Sequence, residues 1–375
     1  MLIEISQRLL CKALHLLSGA VSAKNVIPIL TGMKLHADHT GLTLTAGHTG
    51  MLLQYKFPAD DDQVTVRQPG SIVIPARYLT DIIRHLPAGT VSITSSEDYN
   101  VIISAGNAVY RLCGMSVDEY PSIAGSEHSD ILHCPNLALK KMIKQVSFAV
   151  STSEARPVLT GVSCRIEEEQ VRLVASDGVR LASRIMPLQK KSGSTFPAVI
   201  IPGKHLTDFS KMLHDEQAST AISLGRNTIL FQTNSISMQS SLLEGSYPST
   251  DKLAPEAFTT EMTVNTFDLL HALERVSLLA GDNKAVKLSI ESDQTMELTS
   301  RTAAIGEVTE SIAIEALVGE KLAISFNGKY MLDIVGVMDC GKVHIRLTGR
   351  RNPIIVQPAD SSGSLYIVTP MLTRE

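Results

Sequence analysis

Hydrophobic residues recur at helical spacing in several separate stretches of the chain. Leu10, Leu14 and Leu17 fall three or four positions apart, and the same spacing returns over 139–146. One face of an α-helix comes round every 3.6 residues, so this spacing predicts amphipathic helices. Six such helices are predicted, over 7–17, 77–86, 136–146, 203–213, 266–276 and 328–338.

Between the predicted helices the hydrophobic pattern changes to strict alternation. "GMKLHA" from Gly32 and "GLTLTA" from Gly41 alternate apolar and polar residues on either side of a polar turn. Alternation of this kind predicts paired antiparallel strands. Each unit is predicted to begin with a short strand, such as "LIEI" at 2–5, and to end with a hairpin, such as "TVSITSS" followed by "NVIISAG". The pattern therefore predicts an α+β unit of two helices on an antiparallel sheet.

This unit occurs three times along the chain. Residues 10–54 align with residues 139–183 without a gap, and 13 of the 45 positions are identical. A second string, "IVIPARYLTDIIRHL", returns as "VIIPGKHLTDFSKML" and, more distantly, as "LAISFNGKYMLDIVGVM". A unit of about 125 residues has the size of a domain, whereas solenoid repeats are far shorter. We expect three domains of this one kind, at 1–126, 127–255 and 256–375.

Composition adds few constraints beyond a globular core. The chain has 375 residues, of which 44% are hydrophobic and 19% charged. Its five cysteines are scattered without a C-x-x-C motif, which argues against a disulfide framework or a thiolate metal site. No secretory leader is apparent, and no apolar run approaches the ~18 residues of a membrane helix. We expect a cytoplasmic protein with no membrane partner, no cofactor and no metal.

The charge is distributed unevenly between the helices and the rest of the chain. The net charge is −4, yet the six predicted helices hold 11 basic and 5 acidic residues. Solvated helix faces could explain this, but a basic layer facing a polyanion is the stronger interpretation. The chain has no Trp and only 4% aromatic residues, which argues against base stacking on single strands. The pattern favours contacts with the backbone of a duplex, without base reading.

Catalytic motifs are missing from the sequence. It contains no G-x-G-x-x-G, P-loop, G-x-S-x-G or H-E-x-x-H. "HADH" at 36–39 is the best metal candidate, but it falls at a predicted hairpin turn. Asp81, Asp208 and Asp333 recur at one repeat position, which indicates a structural role, and Ser176 has no evident His partner. We expect no intrinsic catalytic site, with an accessory enzyme as the weaker alternative.

The repeated strings together resemble a known family. "IPILTG", "ASDGVRLA", "VIIPGKHLTD", "GSYP" and "YIVTPM" on a three-copy plan are similar to the bacterial DNA sliding clamp, the beta subunit of DNA polymerase III. The resemblance covers essentially the whole chain. It implies a DNA clamp fold that closes as a head-to-tail homodimer, a six-domain ring around duplex DNA. Such a ring tethers DNA polymerase and other replication and repair proteins, and so confers processivity.

The resemblance also implies functional residues. From the resemblance, sequence-independent contacts to double-stranded DNA are expected at Lys24, Arg77, Arg84, Arg156, Lys204 and Asn327. From the charge of the predicted helices, they are also expected at Lys140, Lys141, Lys144 and Lys329. The dimer interface is expected at Tyr110, Leu112, Leu278 and Leu279. Polymerase subunits and the clamp loader are expected to insert short apolar peptides into a pocket formed by Leu159, Ser176, Gly178, Arg180, Leu181, Pro248, Leu253, Ile367, Val368, Pro370 and Met371.

The chain departs from the family pattern around that pocket. Val179 stands where a His is common, and Thr369 where Met or Leu is common. The stretch 249–253 also lacks the usual acidic, aromatic and basic character. These departures leave open the alternative of a paralogous clamp with a narrowed partner range. A non-replicative polyanion-binding scaffold of the same fold is a separate alternative.

Overall fold

The structure is a computed structural model that describes residues 1–21, 27–60, 63–123, 131–167, 170–188, 196–213, 218–250, 253, 255, 257–359 and 363–372. Six α-helices lie in this part of the chain. They are α1 (Gln7–Ser18), α2 (Ala76–His85), α3 (Asn136–Ser147), α4 (Gly203–Met212), α5 (Thr266–Ser277) and α6 (Gly328–Val335). All six predicted helices are confirmed, with ends that differ from the prediction by at most three residues.

Apart from two short 3-10 turns, the remaining regular structure of the described residues consists of antiparallel strands. They are β1 (Leu2–Ser6), β2 (Gly32–Asp38), β3 (Gly41–His48), β4 (Met51–Pro58), β5 (Val64–Gln68), β6 (Gly70–Pro75), β7 (Thr90–Ser95), β8 (Asn100–Ala105), β9 (Ala108–Cys113), β10 (Leu132–Pro135), β11 (Gly161–Glu167), β12 (Gln170–Ser176), β13 (Arg180–Pro187), β14 (Phe196–Pro202), β15 (Ser219–Leu224), β16 (Thr228–Gln232), β17 (Ile236–Ser241), β18 (Thr260–Asn265), β19 (Ala285–Ile290), β20 (Thr295–Thr302), β21 (Gly306–Gly319), β22 (Ala323–Asn327), β23 (Lys342–Leu347), β24 (Ile354–Pro358) and β25 (Ser364–Val368).

The chain divides into two compact units. The first unit comprises Met1–Lys140 and His205–Leu242, and the second comprises Lys141–Lys204 and Leu243–Glu375. The first unit contains a five-stranded sheet, β5-β1-β7-β8-β9, and an eight-stranded sheet, β10-β15-β16-β17-β4-β3-β2-β6. The second unit contains one sheet of twelve strands, β14-β11-β12-β13-β25-β24-β23-β18-β21-β20-β19-β22.

The large sheets run across the boundaries between repeats. In the first unit β17 of the middle repeat pairs with β4 of the first, with Met238 opposite Leu53. In the second unit β25 pairs with β13, with Tyr366 opposite Ala182. Backbone ladders therefore join consecutive repeats, and the middle repeat contributes strands to both units.

One sequence expectation about the repeat ends is wrong. Each repeat ends not in a two-stranded hairpin but in a third strand, which is β9, β17 or β25. Ala108–Cys113 shows no alternation of buried and exposed residues, because it forms the edge of its sheet. An edge strand without one buried face gives no period-two signal to detect.

The helices bury the apolar stripe that predicted them. In α1 the side chains of Leu10, Leu14 and Leu17 are almost fully buried, and α5 buries Leu269 and Leu273 in the same way. Burial of each such side chain contributes about 1.5–3 kcal/mol. The same spacing thus builds a core under each helix.

The repeated Pro-x-Leu-Thr-Gly string has a local structural cause. Pro28 and Pro157 each begin a short 3-10 turn, in which the Thr31 and Thr160 hydroxyls donate to the carbonyls of those prolines. At Gly161, the glycine that follows the second turn, a Cβ would lie 2.5 Å from Ile200 Cγ2, so only glycine fits. The glycine of this string thus lets β11 pass close to its neighbouring strand β14.

Candidate partner-binding and DNA-contact sites

The predicted peptide pocket centres on an apolar cluster in the second unit. Val174, Leu181, Ile355 and Ile367 form a buried group, and Tyr247, Phe258 and Leu365 pack against it. Leu181 and Ile367 are directly paired across β13 and β25. The structure thus brings two residues predicted from separate repeats into contact. Leu159, on its 3-10 turn, and Val368 are buried as well.

A tight turn at 176–180 borders this cluster. The Ser176 hydroxyl donates to the carbonyl of Arg180 (2.7 Å) and accepts from the Gly178 amide (3.1 Å). The Asp177 carboxylate accepts from the Val179 and Arg180 amides, both at 2.9 Å. Gly178 has φ +93°, a conformation that favours glycine. The "SDGVR" string therefore encodes this turn, and the Ser176 hydroxyl is engaged within it.

Arg180 connects three segments of the second unit. Its guanidinium donates from Nε to Asp177 (3.0 Å), from Nη1 to Asp333 (2.6 Å) and from Nη2 to the Phe148 carbonyl (2.7 Å). The group also lies 4.3 Å from the ring centre of Tyr330, a cation–π contact. Its side chain is 10% exposed. Arg180 is therefore fully occupied in joining the second repeat to α6.

The C-terminal segment lies against two neighbouring elements of the second unit. The Thr369 amide donates to the Val179 carbonyl (2.9 Å), and the Met371 amide donates to the Ser325 carbonyl (2.7 Å). Met371 lines a cavity of about 590 Å³ with Arg350 and Arg351. Pro248 lines another cavity, of about 310 Å³, while Leu253 is exposed.

The DNA-contact candidates of the first unit differ in whether their charged groups already contact other parts of the protein. Arg77 is exposed on α2, whereas Arg84 forms an ion pair with Asp81. Lys140 donates to the Leu213 carbonyl at 3.0 Å. Lys24 lies outside the described residues.

Lys141 and Lys144 of α3 both act on Asp339 in the second unit. Lys141 Nζ lies 2.9 Å from Asp339 Oδ2. This hydrogen bond, with a smaller contribution from the Lys144 charge, holds the pKa of Asp339 below its usual range. Both lysines are exposed along the helix. Lys141 thus forms an ion pair with Asp339, whereas Lys144 acts on Asp339 only through its charge.

The other candidates of the second unit are mostly exposed side chains. Arg156, Lys204 and Lys329 are exposed. Asn327 has a local role, because its side-chain oxygen accepts from the Lys329 amide (3.0 Å) and caps α6. Arg156 Nη1 would lie 3.3 Å from a Cβ built on Gly178, so this arginine borders the 176–180 turn.

The predicted dimer residues lie where large apolar side chains are exposed. In the first unit Tyr110 is 38% exposed on the edge strand β9, next to exposed Val109, and Leu112 is partly buried. In the second unit Leu278, directly after α5, is 81% exposed, while Leu279 is partly buried. Such residues favour an interface, since burial would remove their apolar surface from water.

Strand β21 offers an unused edge in the second unit. It pairs with β20 through residues 306–313 and with β18 through residues 314–319. Within the described chain, residues 306–313 therefore have a ladder partner on one side only. The other side is free to pair with another strand.

The recurring aspartates are engaged in ion pairs. Asp81 pairs with Arg84, Asp208 with Lys211 and Asp333 with Arg180. Asp177 was not among the predicted site residues, although it organises the 176–180 turn. The signal available in the sequence was its place between Ser176 and Gly178, typical of an Asx turn.

Two further candidates from the sequence are now placed. Residues 36–38 are the last residues of β2, and only His39 lies in the β2–β3 turn. Asp38 accepts from the Thr40 amide and hydroxyl across this turn, and these bonds lower the pKa of Asp38. All five cysteines are free thiols. In the described part of the chain, no helix is long and apolar enough to cross a membrane.

Comparison with known proteins agrees with this architecture. Family models of the DNA polymerase III beta subunit match the chain in order: the N-terminal domain at residues 1–124, the central domain at 134–249 and the C-terminal domain at 251–372. The beta sliding clamp of Bacillus subtilis is 37% identical over 359 residues, which cover 94% of this chain and 95% of that protein.

Solved structures give the same result. A crystal structure of the DNA polymerase sliding clamp from Bacillus subtilis matches with a TM-score of 0.94 and 36% identity, covering 100% of both chains. A sliding clamp from Pseudomonas aeruginosa, solved bound to griselimycin, matches with a TM-score of 0.91 and 26% identity, again over 100% of both chains.

Three copies of a two-helix antiparallel domain, joined by strand pairing, define the class of DNA clamps. The chain belongs to the DNA polymerase III beta subunit family. The relatives compared above are sliding clamps. A role in DNA replication as a processivity factor follows from that family.

Proposed function

We propose that two copies of this chain close head to tail around duplex DNA and act there without catalytic activity of their own. Domains of 1–126, 127–255 and 256–375 would then form a ring of six. A ring on chromosomal DNA works in the cytoplasm, where we place this protein. The three ordered family matches support the domain count.

The unused strand edges carry this proposal. In the first unit β4 receives the last strand of the next repeat, β17, and in the second unit β13 receives β25. The corresponding strand of the third repeat is β21, whose residues 306–313 lack a second partner in the described chain. The last strand of the first repeat is β9, an edge strand. A second copy supplies the missing pair.

The repeat also predicts the register of that joint. Tyr110 of β9 corresponds to Met238 and Tyr366, and Val308 of β21 corresponds to Leu53 and Ala182. Tyr110 should therefore face Val308 of the second copy. One step along, Arg111 should face Glu307 of the second copy, a pair of opposite charges that stabilises a ladder.

The basic helix residues support contact with the DNA backbone. The positive candidates include exposed Arg77, Lys144, Arg156, Lys204 and Lys329. The chain as a whole is acidic, with a net charge of −4. Loose contacts across water are screened within ~8–10 Å at physiological salt. We therefore infer that encirclement, rather than affinity, holds the protein on DNA.

The apolar cluster around Leu181 and Ile367 supports a peptide-binding role. We propose that polymerase subunits and the clamp loader insert short apolar segments beside this cluster and the C-terminal residues Pro370 and Met371. The griselimycin-bound clamp from Pseudomonas aeruginosa supports a ligand site in a related chain. Arg180, held by its contacts within the second unit, would lie at the border of this site.

The function is tested by topology. Rings loaded on nicked circular DNA should survive gel filtration at moderate salt, and one restriction cut should release them, because a linear duplex has ends to slide from. Replacing Lys140, Lys141 and Lys144 by Glu should weaken loading without changing this dependence on topology. If the protein stays on cut DNA as long as on the circle, ordinary backbone binding holds it and the proposal fails.

A further inference from the structure

An acidic side chain lies beside two of the basic residues of α3. Lys141 and Lys144 are both exposed on this helix. Lys141 Nζ lies 2.9 Å from Oδ2 of Asp339, in the segment between α6 and β23. This hydrogen bond, and after it the Lys144 charge, holds the pKa of Asp339 below its usual range. The carboxylate is therefore ionised at neutral pH, and it offsets part of the positive charge of two predicted DNA-contact residues.

The segment that carries Asp339 is anchored on both sides of this residue. Before it, the Met338 amide donates to the Val335 carbonyl at 3.1 Å, which continues the last turn of α6. After it, the Thr266 amide at the start of α5 donates to the Gly341 carbonyl at 3.0 Å. The backbone of the second unit therefore fixes the position from which the carboxylate reaches α3.

The first repeat contains the same anchor without the acidic residue. There the Gln7 amide at the start of α1 donates to the Gly89 carbonyl at 2.8 Å. The residue two positions before this glycine is Pro87, where the third repeat has Asp339 before Gly341. The backbone arrangement thus does not require an acid, and the negative charge needs another explanation.

Stability of the fold does not supply that explanation. The side chains of Lys141 and Asp339 are 45% and 75% exposed. Ion pairs as exposed as this one are weak, because water competes for both charges and salt screens them. A DNA phosphate that reaches Lys141 could therefore replace the carboxylate at little cost. Such a pair is better suited to modulate the lysine than to hold two repeats together.

We propose that Asp339 sets the strength of the DNA contacts of α3 by competing with backbone phosphate for Lys141. The inference rests on the proposed encirclement of duplex DNA and concerns how firmly the ring holds the DNA that it encloses. A phosphate on Lys141 would lie within about 6 Å of the carboxylate, since both anions contact one nitrogen, and repulsion at that distance is within the Debye length of ~8–10 Å. Weaker contacts favour sliding, because a phosphate contact must break before the ring can move along the duplex.

Equilibrium binding to a short linear duplex tests the competition. The ends of this DNA allow a ring to thread, and fluorescence anisotropy over a series of NaCl concentrations gives the affinity and its salt dependence. Asp339→Asn should tighten binding by about 1.4-fold to 5-fold per copy, because an exposed ion pair no longer opposes the phosphate contact. The log–log slope of affinity against salt should also become steeper, by up to ~0.9 for each lysine released.

Run-off kinetics give a second readout that a merely structural role would not change. Rings are loaded on nicked circular DNA and released by one restriction cut. Asp339→Asn rings should leave the linear duplex more slowly than the wild type, and Lys141→Gln rings should leave faster. Adding Asp339→Asn to Lys141→Gln should slow the release less than Asp339→Asn does in the wild type, because the principal partner of the carboxylate is gone.

Asp293→Asn is the matched control for the loss of one negative charge. Asp293 pairs with Lys321 at 3.3 Å, and their side chains are 82% and 50% exposed, close to the values of the proposed pair. Lys321 is not among the DNA-contact candidates. The control should therefore bind and run off as the wild type does. Both variants should also melt with the wild type, and Asp339→Ser repeats the test if Asp339→Asn is unstable.

The outcomes separate this inference from the proposed function. A wild type that stays on cut DNA as long as on the circle contradicts encirclement, and the role of Asp339 falls with it. If the wild type runs off but Asp339→Asn has the same affinity, salt slope and release rate, only the role of Asp339 is wrong. An equal gain in Asp339→Asn and Asp293→Asn would assign the effect to net charge and would also overturn the inference.

Discussion

Glycine positions show most directly how single residues fix this fold. Gly161 accommodates Ile200 Cγ2, Leu243 Cδ1 and the Ile201 carbonyl within 2.5–3.0 Å of where its Cβ would lie. Gly19, after α1, has no atom within 4 Å of that position and has φ −63°. The same residue type is thus required at one site and incidental at the other.

The two glycines should respond oppositely to alanine. Gly161→Ala should lower the free energy of unfolding by about 1–3 kcal/mol, because the extra methyl overpacks a site with no room. Gly19→Ala should raise it by about 0.4–1 kcal/mol, because alanine narrows the unfolded ensemble at a compatible backbone angle. Urea denaturation of both variants measures the difference. Equal effects would contradict the packing argument.

Buried tyrosines should make the protein sensitive to alkali. Burial raises the pKa of Tyr366 to about 12, although the Ser364 hydroxyl and Arg184 oppose this effect. The unfolded chain, with its lower tyrosine pKa, loses the proton first, so stability is complete below about pH 10 and falls as pH rises towards 12. A shift of that size corresponds to about 2–3 kcal/mol.

The variant Tyr366→Phe should remove this part of the alkaline loss. We expect its unfolding free energy to fall less steeply than that of the wild type between pH 10 and 12, as measured by urea titration at each pH. Tyr78→Phe, at a ring that is 59% exposed, is the matched substitution. An unchanged slope in Tyr366→Phe would assign the alkaline loss to other groups.

At the scale of elements, Arg180 ties the 176–180 turn and β13 to α6. Its contacts with Asp177, Asp333 and the Phe148 carbonyl come from three different parts of the second unit. The corresponding residue of the first repeat, at the offset of 129, is Met51. These contacts of Arg180 are therefore a feature of the second repeat and are not shared by the first.

Replacing Arg180 by Met should leave two carboxylates without their partner. We expect a loss of about 3 kcal/mol in unfolding free energy, since removing one side of a largely buried ion pair leaves uncompensated charge. Adding Asp333→Asn to Arg180→Met should restore part of that loss. A fully additive double variant, measured by denaturant unfolding, would show that Arg180 and Asp333 do not interact.

Elements were more predictable from the sequence than the contacts that make the sites. The helices follow from a local period, and Leu10, Leu14 and Leu17 report it within two turns. The bond from Arg180 to Asp333 spans 153 residues, and no local pattern announces it. Likewise, Lys141 pairs with Asp339 of the next repeat, and only the folded arrangement of the second unit brings the two together.

For the whole molecule, the proposed register of the joint between copies gives a direct test. Arg111→Glu should lower the dimer fraction, because two acidic groups would then meet at position 307 of the second copy. Glu307→Arg alone should do the same. The double variant should recover dimer, as measured by light scattering over a range of concentrations. If the double variant is as monomeric as the single ones, the predicted register is wrong.

The strand joints described above have a mechanical consequence. The ladders at β4–β17 and β13–β25 belong to one covalent chain, so after any rupture their edges stay tethered at high local concentration and can pair again. The joint between copies would have no such tether. Tension on the ring would therefore be relieved at β9 and β21, and dilution would act on these strands alone. In the proposed ring, the joint without a covalent tether would therefore open first, before any opening factor acts.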